Sequence, residues 1–264
     1  MSERTPSLEV PKSEELLEAL LTIPGSTGET YRRFHPYSPR NLGFLAMQGC
    51  PPEPVATYAR WTELGRQVLK GSKAFSILRP IQVRVEGENE EDDKLIRRFK
   101  VVRALFPLSQ TAGEELPPYE PPAWSVDRAL GELAITRVPF ASFNGNTQGY
   151  SYDRNVAVSP VAVYPFKTLL HEVGHVVGGH TTPAGLEEYG QHRGRMEFEA
   201  EATAFLTLKE LGATGQFNEE VMRGYVQNHL GSERPPEQSF KTVLNSTTTI
   251  LNAGYEPAKE EVAA

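Results

Sequence analysis

Hydrophobic positions recur along the chain with two spacings, and each change of spacing marks a change from helix to strand. Residues 1 to 10 read as a loose arm. Ser13-Glu-Glu-Leu-Leu-Glu-Ala-Leu-Leu21 predicts a short amphipathic helix, capped by Ser13, with acids in its first turn and an end at Pro24-Gly25. Ser38-Pro39 opens a second helix that stops at Gly49 and buries Leu42, Leu45 and Ala46. A third runs from about Val55 to Leu64, with Gly65 as its left-handed cap. From Gln67 to Pro80 the pattern becomes that of two strands around a Lys70-Gly-Ser-Lys73 turn, continued by Ile81 to Val85. The acidic run Glu86 to Asp93 reads as a solvated loop tip, and Phe99 to Leu108 as a returning strand.

The proline-rich piece Leu116-Pro-Pro-Tyr-Glu-Pro-Pro122 predicts a boundary, giving domains 1–120 and 121–264. Beyond it the pattern predicts a helix over Ser125 to Leu133, a strand over Ile135 to Phe140, a turn at Asn144-Gly145-Asn146 and a strand over Tyr150 to Val158. A helix follows Pro160 or Pro165 and ends at Gly178-Gly179, and a polar loop holds Pro183, Gly185 and Gly190. Helices are then expected over Met196 to Leu211, about Asn218 to Leu230 and Glu237 to Ala253. The fold class is therefore α+β: an N-terminal α/β domain, then a mostly helical domain with a small antiparallel sheet.

Composition narrows the function. Hydrophobic residues at 39% and charged ones at 23% are ordinary globular values. No apolar run reaches the ~20 residues that span a bilayer, and Met1-Ser-Glu-Arg-Thr-Pro lacks the apolar core of a signal peptide, so no membrane partner and a cytoplasmic location are expected. The one cysteine, Cys50, excludes an internal disulfide framework and a cysteine-based zinc cluster, and reads as packing. The net charge of −7 is unevenly spread. Residues 31 to 80 hold eight Lys/Arg against two acids, whereas residues from 123 onward hold 11 basic against 17 acidic. One half is thus suited to an anionic partner.

The chemistry is concentrated in Phe166-Lys-Thr-Leu-Leu-His171-Glu172-Val-Gly-His175. On a helix, His171 and His175 lie about 40° apart in phase and one turn apart in height, so two imidazoles leave the same face. This is the H-E-x-x-H pattern, in which the histidines hold a zinc ion and Glu172 acts as base toward water. Such a site needs a third protein ligand. In the extended pattern H-E-x-x-H-x-x-G-x-x-H, Gly178 is in place, but Thr181 stands where histidine is required and His180 falls one position short. The other source is a glutamate from a later helix, here Arg195-Met-Glu-Phe-Glu-Ala-Glu-Ala-Thr-Ala-Phe205. Glu197 and Glu201 share a face, while Glu199, about 200° from Glu197, is expected to look away. One of the pair would bind the metal and the other accept the spare N–H of a ligating histidine.

At this point the residues resemble a family. The H-E-x-x-H helix followed by E-x-x-A-E and Ala-Phe-Leu is similar to the zincin-like domains of ImmA/IrrE-type and ArdC-type proteins, and in that pattern the first glutamate, Glu197, is the ligand, leaving Glu201 as the outer partner. The family often has a second glutamate just before it, where this chain has Met196. Independently, Trp61, Leu64-Gly65, Val68 and Lys70-Gly71-Ser-Lys73 resemble the signature of the ArdC N-terminal domain, and Gln110-Thr111-Ala-Gly113 its later Gln-Thr-x-Gly. The resemblance implies an antirestriction-type protein of plasmid or phage descent, with a single-stranded-DNA-binding N-terminal domain and a zinc metallopeptidase C-terminal domain acting on a protein or peptide substrate. Trp61, Arg66, Lys70 and Lys73 are the residues expected to meet the strand, and Lys70 and Lys73 to project from one hairpin tip. Tyr189, His192, Tyr225 and His229 are candidates for stabilising an oxyanion. The alternatives are a DNA-binding blocker whose metal domain is structural, and a regulatory protease that cleaves a repressor or partner protein.

Overall fold

A computed structural model of the chain describes residues 9–23, 27, 29–85, 94–142, 146–213, 218, 220, 224 and 234–256. The expected acidic loop over Glu86 to Asp93 and most of the expected helix over Asn218 to Leu230 lie outside them. The chain divides into two compact units, one of Met1–Pro24 and Glu29–Pro118, the other of Gly25–Gly28 and Tyr119–Ala264.

In the first unit α1 (Ser13–Thr22) buries Leu16, Leu17, Leu20 and Leu21 against α2 (Pro39–Met47). Each such leucine stabilises the fold by about 1.5–3 kcal/mol. The helices cross closely at Gly43, where a Cβ would stand 2.2 Å from the Leu16 carbonyl oxygen. Lys12, not Ser13, is the cap of α1: the Glu15 carboxylate accepts the Lys12 N–H at 2.8 Å, and Ser13 is buried inside the helix. The expected third helix is divided. Val55–Ala56 form β1 and only Tyr58–Glu63 form α3, because Thr57 caps the Arg60 N–H at 3.2 Å and the strand before it pairs with a distant partner.

That partner is β4 (Lys94–Pro107), which lies between β1 and β3 (Phe75–Val85) in an antiparallel sheet of order β1-β4-β3. The Lys70-Gly-Ser-Lys73 turn is not a hairpin tip. β2 (Arg66–Val68) pairs with β5 (Thr111–Gly113), so the turn carries the chain from one sheet to another, with Gly71 at φ 92°.

In the second unit α4 (Val126–Glu132) leads to β6 (Thr136–Arg137), which pairs in parallel with β8 (Asn155–Val158). The expected strand over Tyr150 to Val158 is a hairpin: β7 (Gly149–Tyr152) turns at Asp153, φ 48°, into β8. Helix α5 (Pro165–Val177) packs against this sheet, and α6 (Pro183–Glu210) and α7 (Glu237–Gly254) pack against α5 and against each other. Their core joins Leu169, Leu170 and Val173 to Phe198, Ala202 and Phe205 and to Phe240, Val243 and Leu244. The expected polar loop after α5 is instead the first half of α6. Thr182 accepts the Gly185 N–H and Pro183 occupies the first helical position, so residues read as breakers are start signals. The architecture is α+β.

Candidate metal centre

Pro165 sets the start of α5, and the apolar positions Leu169, Leu170, Val173 and Val176 turn one face inward. His171 and His175 leave an adjoining face with their Nε2 atoms 3.1 Å apart. The third group comes from α6, whose helix is broken at His192 (φ −129°, ψ 35°) and re-aimed beyond it. Gly174 lets the two helices meet: a Cβ there would stand 3.1 Å from the Ala200 carbonyl oxygen. Glu197 thus arrives with Oε2 3.4 Å from His171 Nε2 and Oε1 3.9 Å from His175 Nε2. Donor atoms about 2.0–2.1 Å from a tetrahedral zinc are separated by about 3.3 Å, so the set fits such an ion. Among the described residues, these three form a group whose ligand atoms all lie within 4.8 Å of one another.

Glu172 is buried on the side of β7, where its carboxylate accepts the Ser151 hydroxyl at 2.8 Å. Gly149 on the same strand has no room for a side chain, since a Cβ would lie 2.7 Å from Thr168 Cγ2 and 3.0 Å from Glu172 Oε1. A cavity of about 640 Å³ opens over Glu172, His171, His175 and Glu197 and is walled by Gln148 to Ser151, Val163, Tyr164 and Arg193. Burial raises the Glu172 pKa, opposed in part by the His171 charge and the Ser151 hydrogen bond. For His171 burial acts downward, but hydrogen bonds to Glu197 and Glu201 prevail and carry it up to about 9. His175 moves down, first by burial and then by the His171 charge.

Around these groups stand further partners. Glu201 Oε2 lies 2.9 Å from His171 Nδ1 and 2.8 Å from Lys167 Nζ, and these contacts outweigh burial to lower its pKa. Glu199 does not face the three donor atoms, yet it is buried rather than solvated: Oε2 lies 3.0 Å from His180 Nε2, and Oε1 accepts the Ser239 hydroxyl at 2.5 Å. His180 Nδ1 in turn is 2.9 Å from His175 Nδ1. The contributions of Ser151, Lys167 and His180 were missed from sequence. Only Lys167, one turn before His171, carried a local signal.

The oxyanion candidates fare unevenly. His192 sits exposed at the break in α6; the side chains of Tyr189, Tyr225 and His229 lie outside the described residues. Arg193 lines the cavity, its Nε 4.0 Å from Glu197 Oε1. Of the residues expected to meet DNA, Trp61 is fully buried. Its indole N–H donates to the Phe106 carbonyl at 2.9 Å and its ring meets Phe34 edge-on, so in this structure it is core and offers no stacking face. Arg66 is turned onto Thr111, Gly113 and Glu114. Lys70 and Lys73 are exposed.

Residues 23–105 match the family model described as the N-terminal domain of anti-restriction factor ArdC. No curated protein matches the sequence. Among solved structures, the chain is similar to the metal-free crystal structure of the antirestriction ArdC protein from the R388 plasmid, with 16% identity and a TM-score of 0.52 over 91% of this chain and 93% of that one. The Mn(II)-bound structure of the R388 protein matches with 19% identity and a TM-score of 0.44 over 91% and 94%. Residues 23–105 are thus similar in sequence to the N-terminal domain of ArdC, and the fold along most of the chain is similar to that of the R388 protein.

Proposed function

We propose that the second unit is a metallopeptidase, with zinc held by His171, His175 and Glu197 and with Glu172 as the base. The observation that carries this reading is the convergence of His171 Nε2, His175 Nε2 and the Glu197 carboxylate on one wall of a cavity that also exposes Glu172. Two imidazoles and one carboxylate are a donor set suited to catalytic zinc, which when bound would polarise a carbonyl and make water acidic near neutral pH. Glu172 then takes the proton of the attacking water and returns it to the departing amine. The Ser151 hydroxyl holds the carboxylate toward the cavity, and burial makes Glu172 a better proton acceptor than an exposed glutamate. Arg193 supplies positive charge to the cavity rim, where an oxyanion would form. Metal analysis coupled to peptide cleavage tests the reading. About one zinc per chain with cleavage lost in Glu172→Gln supports it, and a zinc-loaded chain that cleaves nothing from a diverse peptide library sinks the peptidase assignment.

A second reading concerns the first unit as a binder of single-stranded DNA. It is favoured by exposed cations on the β3–β4 ladder: Arg79 stands directly opposite Lys100, and Arg98 follows on the same face. Like charges directly opposed on a sheet are destabilising unless an anion is supplied, and phosphates would supply it. With Lys70 and Lys73 these side chains take the part expected from sequence of Trp61, Arg66, Lys70 and Lys73. The full chain is expected to bind a single strand with an affinity that falls with salt, and Arg79→Ala with Lys100→Ala to flatten that slope. Salt-independent binding, or none, would turn the basic face over to an acidic protein partner. If Glu172→Gln still protects DNA from restriction, the blocker alternative is favoured over the regulatory protease.

A further inference from the structure

Helix α5 ends in a backward turn with chemical consequences. The His180 N–H bonds to the His175 carbonyl at 3.0 Å and the Gly179 N–H to that of Val176 at 3.2 Å, with Gly179 at φ 82°, the paired pattern of a Schellman stop. This stop folds His180 back over the helix it has just left. Two more glycines clear the space. A Cβ at Gly178 would lie 2.9 Å from His180 Nε2, and one at Gly185 would lie 2.2 Å from the Gly179 carbonyl and 2.8 Å from His180. The result is a buried imidazole, 4% exposed, between His175 and Glu199.

The proton positions along this line follow from its far end. Glu199 accepts the Ser239 hydroxyl on Oε1, has the Arg195 guanidinium 3.7 Å away, and presents Oε2 to His180 Nε2 at 3.0 Å, so its carboxylate is the acceptor at the end of the line. As a neutral imidazole His180 then carries its proton on Nε2 to donate to Glu199, which leaves Nδ1 as an acceptor. His175 can meet that acceptor only by carrying its own proton on Nδ1, so its Nε2 lone pair is turned toward His171 Nε2 and Glu197. We infer that His180 and Glu199 are positioning residues that lock His175 in the Nδ1–H tautomer, the form able to ligate a metal through Nε2. The two histidines are then oriented differently by one helix, His171 by Glu201 directly and His175 by Glu199 through an intervening ring. Glu197, Glu199 and Glu201 all serve one site, although Glu199 never reaches it.

The relevance to metal rests on the proposed reading of His175 as a ligand, but the tautomer can be measured without metal. In the metal-free full chain with ¹⁵N-labelled histidine, long-range ¹H–¹⁵N correlation is expected to show His175 with a protonated Nδ1 and a bare Nε2. His175 with its proton on Nε2, or on both nitrogens, overturns the inference. In His180→Leu the tautomer lock should be lost and zinc affinity, read by competition with a chelator, should fall about 10–100-fold. His180→Gln should restore most of both, because its carbonyl can accept from His175 while its amide donates to Glu199. A loss caused only by disturbed packing would not be reversed by this second polar replacement, so equal losses in the two folded variants would also overturn it. A locked tautomer in a chain that takes up no zinc would leave the relay standing and refute the metal reading instead.

Discussion

The two units bury ionisable groups in opposite ways. The first encloses side chains that are neutral at physiological pH: Tyr31, Tyr37 and Cys50 are at most 7% exposed, and the Tyr31 hydroxyl donates to the Cys50 carbonyl. The exposed faces of its β3–β4 ladder carry Arg79, Arg98 and Lys100. The second encloses groups that must be charged or shared: Glu172, Glu199, Glu201, His175 and His180 are all less than 9% exposed. Burying a hydrogen-bonded phenol costs little, whereas each buried carboxylate needs a cation or several donors to stay. The first pattern is that of a scaffold with its charges directed at solvent, and the second that of a site.

Removing a donor from the site should have the largest effect. His171→Ala and His175→Ala are each expected to lose metal by more than the 10–100-fold that removal of an outer partner costs, with DNA binding unchanged; retention of one zinc per chain in either variant would erase the distinction drawn above. Glu172→Gln is expected to keep its metal while turnover falls about 10²–10⁴-fold, measured on the same peptide. Glu197→Ala should weaken metal binding more than Glu201→Ala, for which about 10–100-fold is expected. The reverse order would exchange the roles of ligand and outer partner.

Metal and alkali should also separate the units thermodynamically. At a free zinc concentration 100 times the dissociation constant, the second unit should gain about 2.7 kcal/mol, seen as a rise in its unfolding transition and none in that of the first. The first unit should be the one that alkali weakens. Burial pushes the Cys50 thiol and the Tyr37 phenol each up to about 12, from 9.0 and 10.0, and raises Tyr31 as well. Above pH ~9 the unfolded chain releases these protons while the folded unit retains them, so stability falls as pH rises from there to about 12. Denaturation midpoints across that range check the sign, and Cys50→Ala should remove the earliest part of the fall.

Helix α5 was legible because its period, its proline start and the two histidines are all local features of one short stretch. The line from Glu199 to His175 was not, since it depends on a turn geometry at Gly179 and on Ser239, 40 residues from Glu199. Helical phase correctly set Glu199 apart from Glu197, yet phase does not say what the opposite side faces. Misreading the Lys70–Lys73 turn has a similar cause: the partner of Arg66 is Gly113, farther along the chain than any hairpin signal reaches. Trp61 is expected to meet the strand because of the company it keeps in sequence, while the Phe106 carbonyl that holds its indole is 45 residues away. Thr182 and Pro183 were local signals that a competing pattern of glycines concealed.

Gly174 stands between the two histidines in sequence and touches neither the cavity nor a charge. On the proposed metal reading it would nevertheless set the size of ion the centre prefers, because the span from the histidines to Glu197 depends on how closely α5 meets Ala200 on α6. Ionic radius would in this sense be selected by a missing methyl group. Gly174→Ala would press on the Ala200 backbone at 3.1 Å and widen that span by a few tenths of an ångström. Competition between zinc and the larger Mn(II) is expected to move toward Mn(II) in that variant, without any donor having been altered.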